Sequence, residues 1–211
     1  EFYDKYGWNL KSISNGCSFN TLNIVEDEKL RIRKSLGLDS EKKYFIFIGR
    51  FSEEKKPTFL IEAFGKLNNP QIELIMLGVG PLFDDCIKNI NPKVRLVGFK
   101  EDILPYLKAS DYYVSASQTE GLANTLLESM SVGLPLLLSD IPSHAHVITK
   151  SIEQIGFLFD NTNEKEFIEK INSIISLKRN IITDNVQIEY LKKYTAKTMA
   201  LNYSLAYKSI I

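Results

Sequence analysis

Two carboxylates and two cations stand at positions where they could hold one ligand. Glu120 and Glu128 lie eight residues apart in the run "SASQTEGLANTLLESM" (115–130), and Arg50 and Lys55 lie five apart in "GRFSEEKKP" (49–57). Cations beside helix N–H groups suit a phosphate or diphosphate. Carboxylates cannot bind phosphate, but they accept hydrogen bonds from hydroxyls. Gly121, Leu122 and Ala123 can bring backbone N–H groups to the open end of a helix, with Asn124 as its N-cap, Thr125 next and Glu128 early in it. The ligand described by these groups carries sugar and ribose hydroxyls on either side of a diphosphate. Plainer readings stand beside this one. Glu53 and Glu54 share the first loop, so it can be a solvated charged turn, and Glu128 can simply complement a helix dipole, worth about 0.3–1 kcal/mol.

Other residues carry weaker signals. Gly78 and Gly80 in "LGVGPL" (77–82) permit close backbone approach to a base or ribose, and a tight turn explains them equally well. They do not make the dinucleotide fingerprint, which needs a third glycine and a later acidic residue. His144 and His146 in "SDIPSHAHVI" (139–148) are read as loop residues, His144 near the site, because no further metal ligand or catalytic partner is close in sequence. Cys17 and Cys86, the two cysteines, match no metal spacing and read as reduced thiols.

These turns need strands and helices to place them. "YFIFIG" (44–49), "IELIMLG" (72–78), "VRLVGF" (94–99), "YYVSAS" (112–117) and "LPLLLSD" (134–140) are short apolar runs. Such runs belong to strands covered on both faces, hence to a parallel sheet. Helical patterns fall between them at 57–67, 101–110 and 124–133; Pro57 suits a first turn and Gly133 a C′ position. Near 26–36 a charged helix is expected, and helices again at 164–177 and 184–209. Strand and helix in alternation predict a Rossmann-like, doubly wound α/β domain. In parallel α/β sheets ligands bind at the carboxyl ends of strands, where the loops above fall.

Bulk composition sets limits. The 211 residues include 44% hydrophobic types, enough for a sizeable core, and 26 basic residues balance 26 acidic ones. Zero formal charge argues against a broad grip on nucleic acid or an anionic membrane. No apolar run reaches the ~20 residues a bilayer requires. The expected location is cytoplasmic.

Taken in order, these stretches resemble the C-terminal half of a retaining glycosyltransferase of family 4, with the two-domain GT-B fold. "SISNGCSF" (12–19) is similar to the family's interdomain I-x-N-G-V-D segment, with Cys17 and Ser18 departing from it. "IGRFSEEKKP" resembles its G-R-x(4)-K loop, "MLGVGPL" its G-x-G-P-L turn, and "VRLVGFKEDILPYLKASD" the segment beside the nucleotide base. "EGLANTLLE" carries the E-x(7)-E signature, with Ala123 where Pro or Gly is common, and His146 stands where a glutamate is common.

The resemblance implies roles. Glu128 would hydrogen-bond the ribose hydroxyls, and Glu120 would lie beside the donor sugar and the reacting centre. Arg50 and Lys55 would neutralise the diphosphate leaving group, which makes Glu120, Arg50 and Lys55 the catalytic set. Gly49, Gly78, Gly80, Val97, Gly98, Phe99 and the backbone of Gly121 to Thr125 would complete the donor pocket. The donor is expected to be a nucleotide sugar, by analogy a UDP-linked hexose or N-acetylhexosamine, with a surface polysaccharide or lipid-linked acceptor. No D-x-D triplet occurs, consistent with protein cations in place of a metal, and no other cofactor is expected. Residues 1–11 would be a remnant of the other domain's last helix, 12–40 the linker and first helix, 41–177 the nucleotide-sugar-binding domain, and 178–211 helices packing across it. The acceptor domain would be a missing partner through which any peripheral membrane association runs. A stand-alone nucleotide-binding module and a GT-B sugar-nucleotide epimerase are the alternatives; the E-x(7)-E pattern disfavours the latter.

Overall fold

The computed structural model describes residues 12–19 and 25–209. The helix remnant expected at 1–11 lies outside them. Six strands form one fully parallel sheet: β1 (Lys43–Ile48), β2 (Ile72–Leu77), β3 (Val94–Gly98), β4 (Tyr112–Ser115), β5 (Leu136–Ser139) and β6 (Gly156–Phe159), in the spatial order β3-β2-β1-β4-β5-β6. The helices are α1 (Glu26–Ser35), α2 (Pro57–Gly65), α3 (Phe83–Lys88), α4 (Leu104–Ala109), α5 (Asn124–Ser131), α6 (Pro142–Thr149), α7 (Glu164–Ser176), α8 (Arg179–Lys193) and α9 (Ala196–Lys208). The expected Rossmann-like α/β class is the observed one.

Alternation along the strands feeds two cores. On β1, Phe45 and Phe47 face a layer with Leu60 and Phe64 of α2 and Phe167 and Ile171 of α7. Tyr44 and Ile46 face the opposite layer, with Leu126 and Met130 of α5, Val147 of α6 and Ile182, Val186 and Tyr190 of α8. Burial on both faces is why these strands read as continuous apolar runs.

Several sequence expectations are corrected. Strand β6 was not anticipated: four residues, two of them half-buried at the sheet edge, give little signal. The histidine stretch is helix α6 from Pro142 onward, so His144 and His146 are helical; Pro142 supplies the first turn. The helix expected over 184–209 is two helices, broken at Tyr194-Thr195. There Thr195 caps α9 by accepting from Thr198 N (3.0 Å), and the backbone of Cys17 bonds Tyr194 O and Ala196 N, both at 2.9 Å. Gly16 permits that approach, since a Cβ there would sit 2.5 Å from Thr195 O. Gly133 takes its expected left-handed conformation (φ 76°) just past α5.

At the opposite end of the sheet, the buried Asp111 joins α1, β1 and α8. It accepts from Lys29, from Arg33 (2.6 Å) and from Tyr44 N (2.7 Å), and Arg179 lies 3.1 Å away. Burial opposes its ionisation, but Lys29, Arg179 and Arg33 overcome this and hold the carboxyl below its ordinary range. Burial also draws Lys29 down to about 8, against the pull of Asp111.

Candidate functional site

Strand order reverses between β1 and β4, where neighbouring crossovers depart to opposite sides and leave a crevice at the strands' carboxyl ends. The loop after β1 carries Gly49, Arg50 and Lys55; the loop after β4 carries Ser117 and Glu120. A hollow of about 260 Å³ between them is lined by Gly49, Arg50, Lys55, Ser117, Glu120 and Asn124. A second, of about 350 Å³, shares Gly49, Arg50 and Thr125 with the first and continues past Gly78 to Phe99 and Lys100. The two make one bent trough: polar and charged at one end, largely apolar at the other. Phe99 is 70% exposed, so its ring offers an unsatisfied apolar face to the trough.

The charged end is preorganised. Lys55 makes an ion pair with Glu120, the side chains being 20% and 13% exposed. Ser117 Oγ donates to the same Oε1 atom at 2.9 Å. Arg50 is exposed and has no ion-pair partner among the described residues. The two cations expected at the diphosphate thus differ: Lys55 is paired with Glu120, and Arg50 has no such pairing among the described residues. Helix α5 begins with Ala123 as its N-cap and no side-chain cap bond. Asn124, expected as the cap, is instead the first helical residue, which leaves the opening N–H groups unsatisfied by any side chain and able to meet an anion.

Glu128 lies one turn further along α5, half-buried and outside the lining of either hollow. Burial alone raises its pKa. Tyr113 lines the polar hollow, and its hydroxyl is 3.1 Å from Thr125 Oγ1. Burial pushes the phenol up, the bond to Thr125 opposes this, and Glu120 and Glu128 both add to the rise.

The glycines prove to face the chain itself. Gly78 (φ 128°) has its amide on Gly98 O (2.9 Å), and a Cβ on it would fall 1.9 Å from Gly49 O. A Cβ on Gly80 would meet Phe51 O at 2.5 Å. Both let the loop after β2 close on the loop after β1. Gly78 still reaches the trough; Gly80, Val97, Gly98 and Gly121 do not line it. Leu122 turns away towards the linker segment, its carbonyl accepting from Asn15 Nδ2 at 3.3 Å.

Behind the site lies a network that sequence reasoning missed. Asn161, after β6, donates Nδ2 to Ala116 O (3.2 Å) and Ser117 O (2.9 Å), and Ser139 Oγ donates to Ser117 O at 2.6 Å. His144 Nδ1 lies 3.0 Å from Ser139 O and 3.1 Å from Ser139 Oγ. A carbonyl can only accept, so Nδ1 carries the proton. Burial lowers the His144 pKa, the Ser139 carbonyl and Glu120 opposing it, so the ring is neutral at pH 7. His144 is thus a buried prop of the site, and His146 on the same helix is exposed. Among the described residues no group of three or more His, Cys, Asp or Glu is placed to hold a metal, and no helix is long and apolar enough to cross a membrane.

A parallel α/β domain with cations, carboxylates and a helix N-terminus gathered at its switch point has the layout of the doubly wound domains that bind ligands at the carboxyl ends of their strands. The chain belongs to the family described as glycosyl transferases group 1, whose profile matches residues 28–194. It is 30% identical over 163 residues to the Escherichia coli UDP-Gal:alpha-D-GlcNAc-diphosphoundecaprenol alpha-1,3-galactosyltransferase, covering 72% of this chain and 42% of that protein. It is 26% identical over 158 residues to a Campylobacter jejuni 4-alpha-N-acetylgalactosaminyltransferase acting on a diphospho-undecaprenol substrate, covering 72% and 43%. The chain spans somewhat under half the length of these relatives. The fold superposes on Anabaena Alr3699/HepE in complex with UDP with a TM-score of 0.82 at 21% identity, over 94% of this chain and 57% of that one. WaaG, a glycosyltransferase involved in lipopolysaccharide biosynthesis, gives a TM-score of 0.79 at 15% identity, over 97% and 59%.

Proposed function

We propose that this chain is the C-terminal, donor-binding half of a retaining glycosyltransferase of the family 4 type. It would move a hexose or N-acetylhexosamine from a UDP-linked donor to a growing surface polysaccharide or glycolipid. The observation that carries this is the meeting of Arg50, Lys55, Glu120 and the uncapped N-terminus of α5 around one hollow at the switch point. Support for the donor comes from the Escherichia coli relative, named for a UDP-galactose donor and a lipid-linked acceptor, and from the Anabaena structures, which hold UDP or UDP-glucose.

Cleaving the glycosidic C–O bond builds negative charge on the nucleotide diphosphate and positive charge on the sugar. Arg50, Lys55 and the α5 N–H groups stabilise the first, and the Glu120 carboxylate stabilises the second. Glu128 takes the ribose hydroxyls, and the apolar end of the trough, with Gly78 and Phe99, takes the base. These cations do the work a metal ion would otherwise do, so donor binding is metal-independent in this reading. Residues 12–40 form the linker and first helix, 41–177 the donor domain, and 178–211 helices returning across it. A partner domain holds the acceptor, at the cytoplasmic face of a membrane.

Calorimetric titration of the chain with UDP, GDP and ADP, each with magnesium and with EDTA, tests this. UDP should bind best, with equal affinity in both buffers. No binding of any nucleoside diphosphate, or binding lost on chelation, would overturn it.

A further inference from the structure

We propose that Ser117 and Asn161 are positioning residues that aim the Glu120 carboxylate at the donor sugar, an inference that rests on the reading of Glu120 given above. The contacts form a closed ring. Lys55 pairs with Glu120, Ser117 Oγ donates to Glu120, and Asn161 Nδ2 holds the Ser117 carbonyl. Lys56 Nζ then donates to Asn161 O at 2.9 Å, and Lys56 is the chain neighbour of Lys55. Three loops, after β1, β4 and β6, are tied to one another at the mouth of the site. Lys56 is also the single non-glycine residue with positive φ (49°) among the described residues, a backbone cost that persists only where surroundings impose it.

The chemistry of the ring gives it a purpose. Lys55 and Ser117 both donate to Oε1 of Glu120, and no protein donor falls on Oε2 among the described residues. Two donors on one oxygen restrain the carboxylate and leave the other oxygen without a protein donor among the described residues, at a residue that lines the polar hollow. A diphosphate entering beside Arg50 competes for Lys55, because a doubly charged anion attracts an ammonium group more strongly than one carboxylate does. Once Lys55 turns to it, Ser117 is the remaining protein donor on Glu120. Ser117 is 1% exposed, its peptide is held by Asn161 and Ser139 at the carbonyl, and its hydroxyl lies 3.1 Å from Ser115 Oγ, a second partner that can donate to it while it donates to Glu120. Asn161 Nδ2 also reaches the Ala116 carbonyl, so the clamp spans two successive peptides. The ring thus keeps Glu120 in place while its cation is redeployed.

The test compares UDP with UDP-glucose on the 211-residue chain by calorimetry, with melting temperature as the fold control. Ser117→Ala should weaken UDP-glucose about tenfold, the size of one hydrogen bond to a charged group, and leave UDP within about twofold. Asn161→Ala should act in the same direction. In a Glu120→Ala background, Ser117→Ala should have no further effect, which a purely structural serine would not reproduce. If Ser117→Ala fails to fold, Ser117→Cys keeps the volume with a weaker donor and should show the same selective loss. A folded Ser117 variant with an unchanged UDP-glucose to UDP ratio, or an undiminished effect without Glu120, would overturn the inference alone. If Glu120→Ala itself weakens UDP and UDP-glucose equally, the placement of Glu120 at the sugar fails and the inference with it.

Discussion

Arg50 and Lys55 look equivalent in sequence, but the structure gives them different duties. Arg50 waits in solvent, and Lys55 is engaged with Glu120. Replacing both by Ala should weaken UDP by about tenfold or more per residue while leaving uridine almost unchanged, since charge-assisted hydrogen bonds are worth roughly 1.5–3 kcal/mol each. Equal losses for nucleoside and nucleotide would show that these cations do not meet the diphosphate. Glu128 poses the opposite case. Burial raises its pKa, so the folded chain favours the protonated acid and loses stability as pH rises above the ordinary carboxyl range. Glu128→Gln removes a half-buried carboxylate with no hydrogen-bond or ion-pair partner among the described residues. It should raise the melting temperature at pH 7, not at pH 4, while weakening uridine and UDP by similar factors. A variant that is less stable at pH 7, or that binds as the parent does, would separate Glu128 from the ribose.

At the scale of elements, the end of the sheet away from the site is held by Asp111, which bonds α1, the start of β1 and α8. Breaking a buried ion cluster by removing one partner typically costs about 3–5 kcal/mol, because the remaining charges stay buried. Asp111→Asn should therefore lower stability by about that amount at pH 7. Its folded pKa is depressed, so the contribution is present above the unfolded value and is lost as pH falls through the folded one. The gap between variant and parent, followed by urea denaturation, should narrow as pH falls below the ordinary carboxyl range; a constant gap would contradict the ionic account. The strands that carry the site were legible because burial on both faces wrote continuous apolar runs into β1, β2, β4 and β5, and Arg50, Lys55 and Glu120 follow such runs directly. What escaped was set by tertiary neighbours. Asn161 meets Ser117 across 44 residues, through the pairing of β4, β5 and β6, and the last of these is a four-residue edge strand. Helix α8 stops at Tyr194 and Thr195 starts α9 where Cys17 bonds Tyr194 O and Ala196 N, a contact no local pattern announces.

At the scale of the molecule, the described residues give the trough a floor and side walls but no roof. Its apolar end displays Phe99 at 70% exposure, and Arg50 stands in solvent. Transfer needs the acceptor hydroxyl held within about 3–3.5 Å of the sugar's reacting carbon and needs water kept from competing for it. The residues around Glu120 are committed to holding that carboxylate, and the relatives that name a complete transferase are more than twice as long as the stretch of them matched here. The 211-residue chain should therefore bind UDP-glucose without passing glucose to any acceptor, and should hydrolyse it no faster than buffer does. Incubation with radiolabelled UDP-glucose and candidate lipid-linked or saccharide acceptors, read by chromatography, checks both points. Fusing the portion of a relative that this chain does not match, as one continuous chain, should give transfer, and Glu120→Ala in that longer chain should abolish it while UDP still binds. Turnover by the short chain alone would mean that the acceptor site lies on these residues after all, and that the open trough is already a complete catalytic centre.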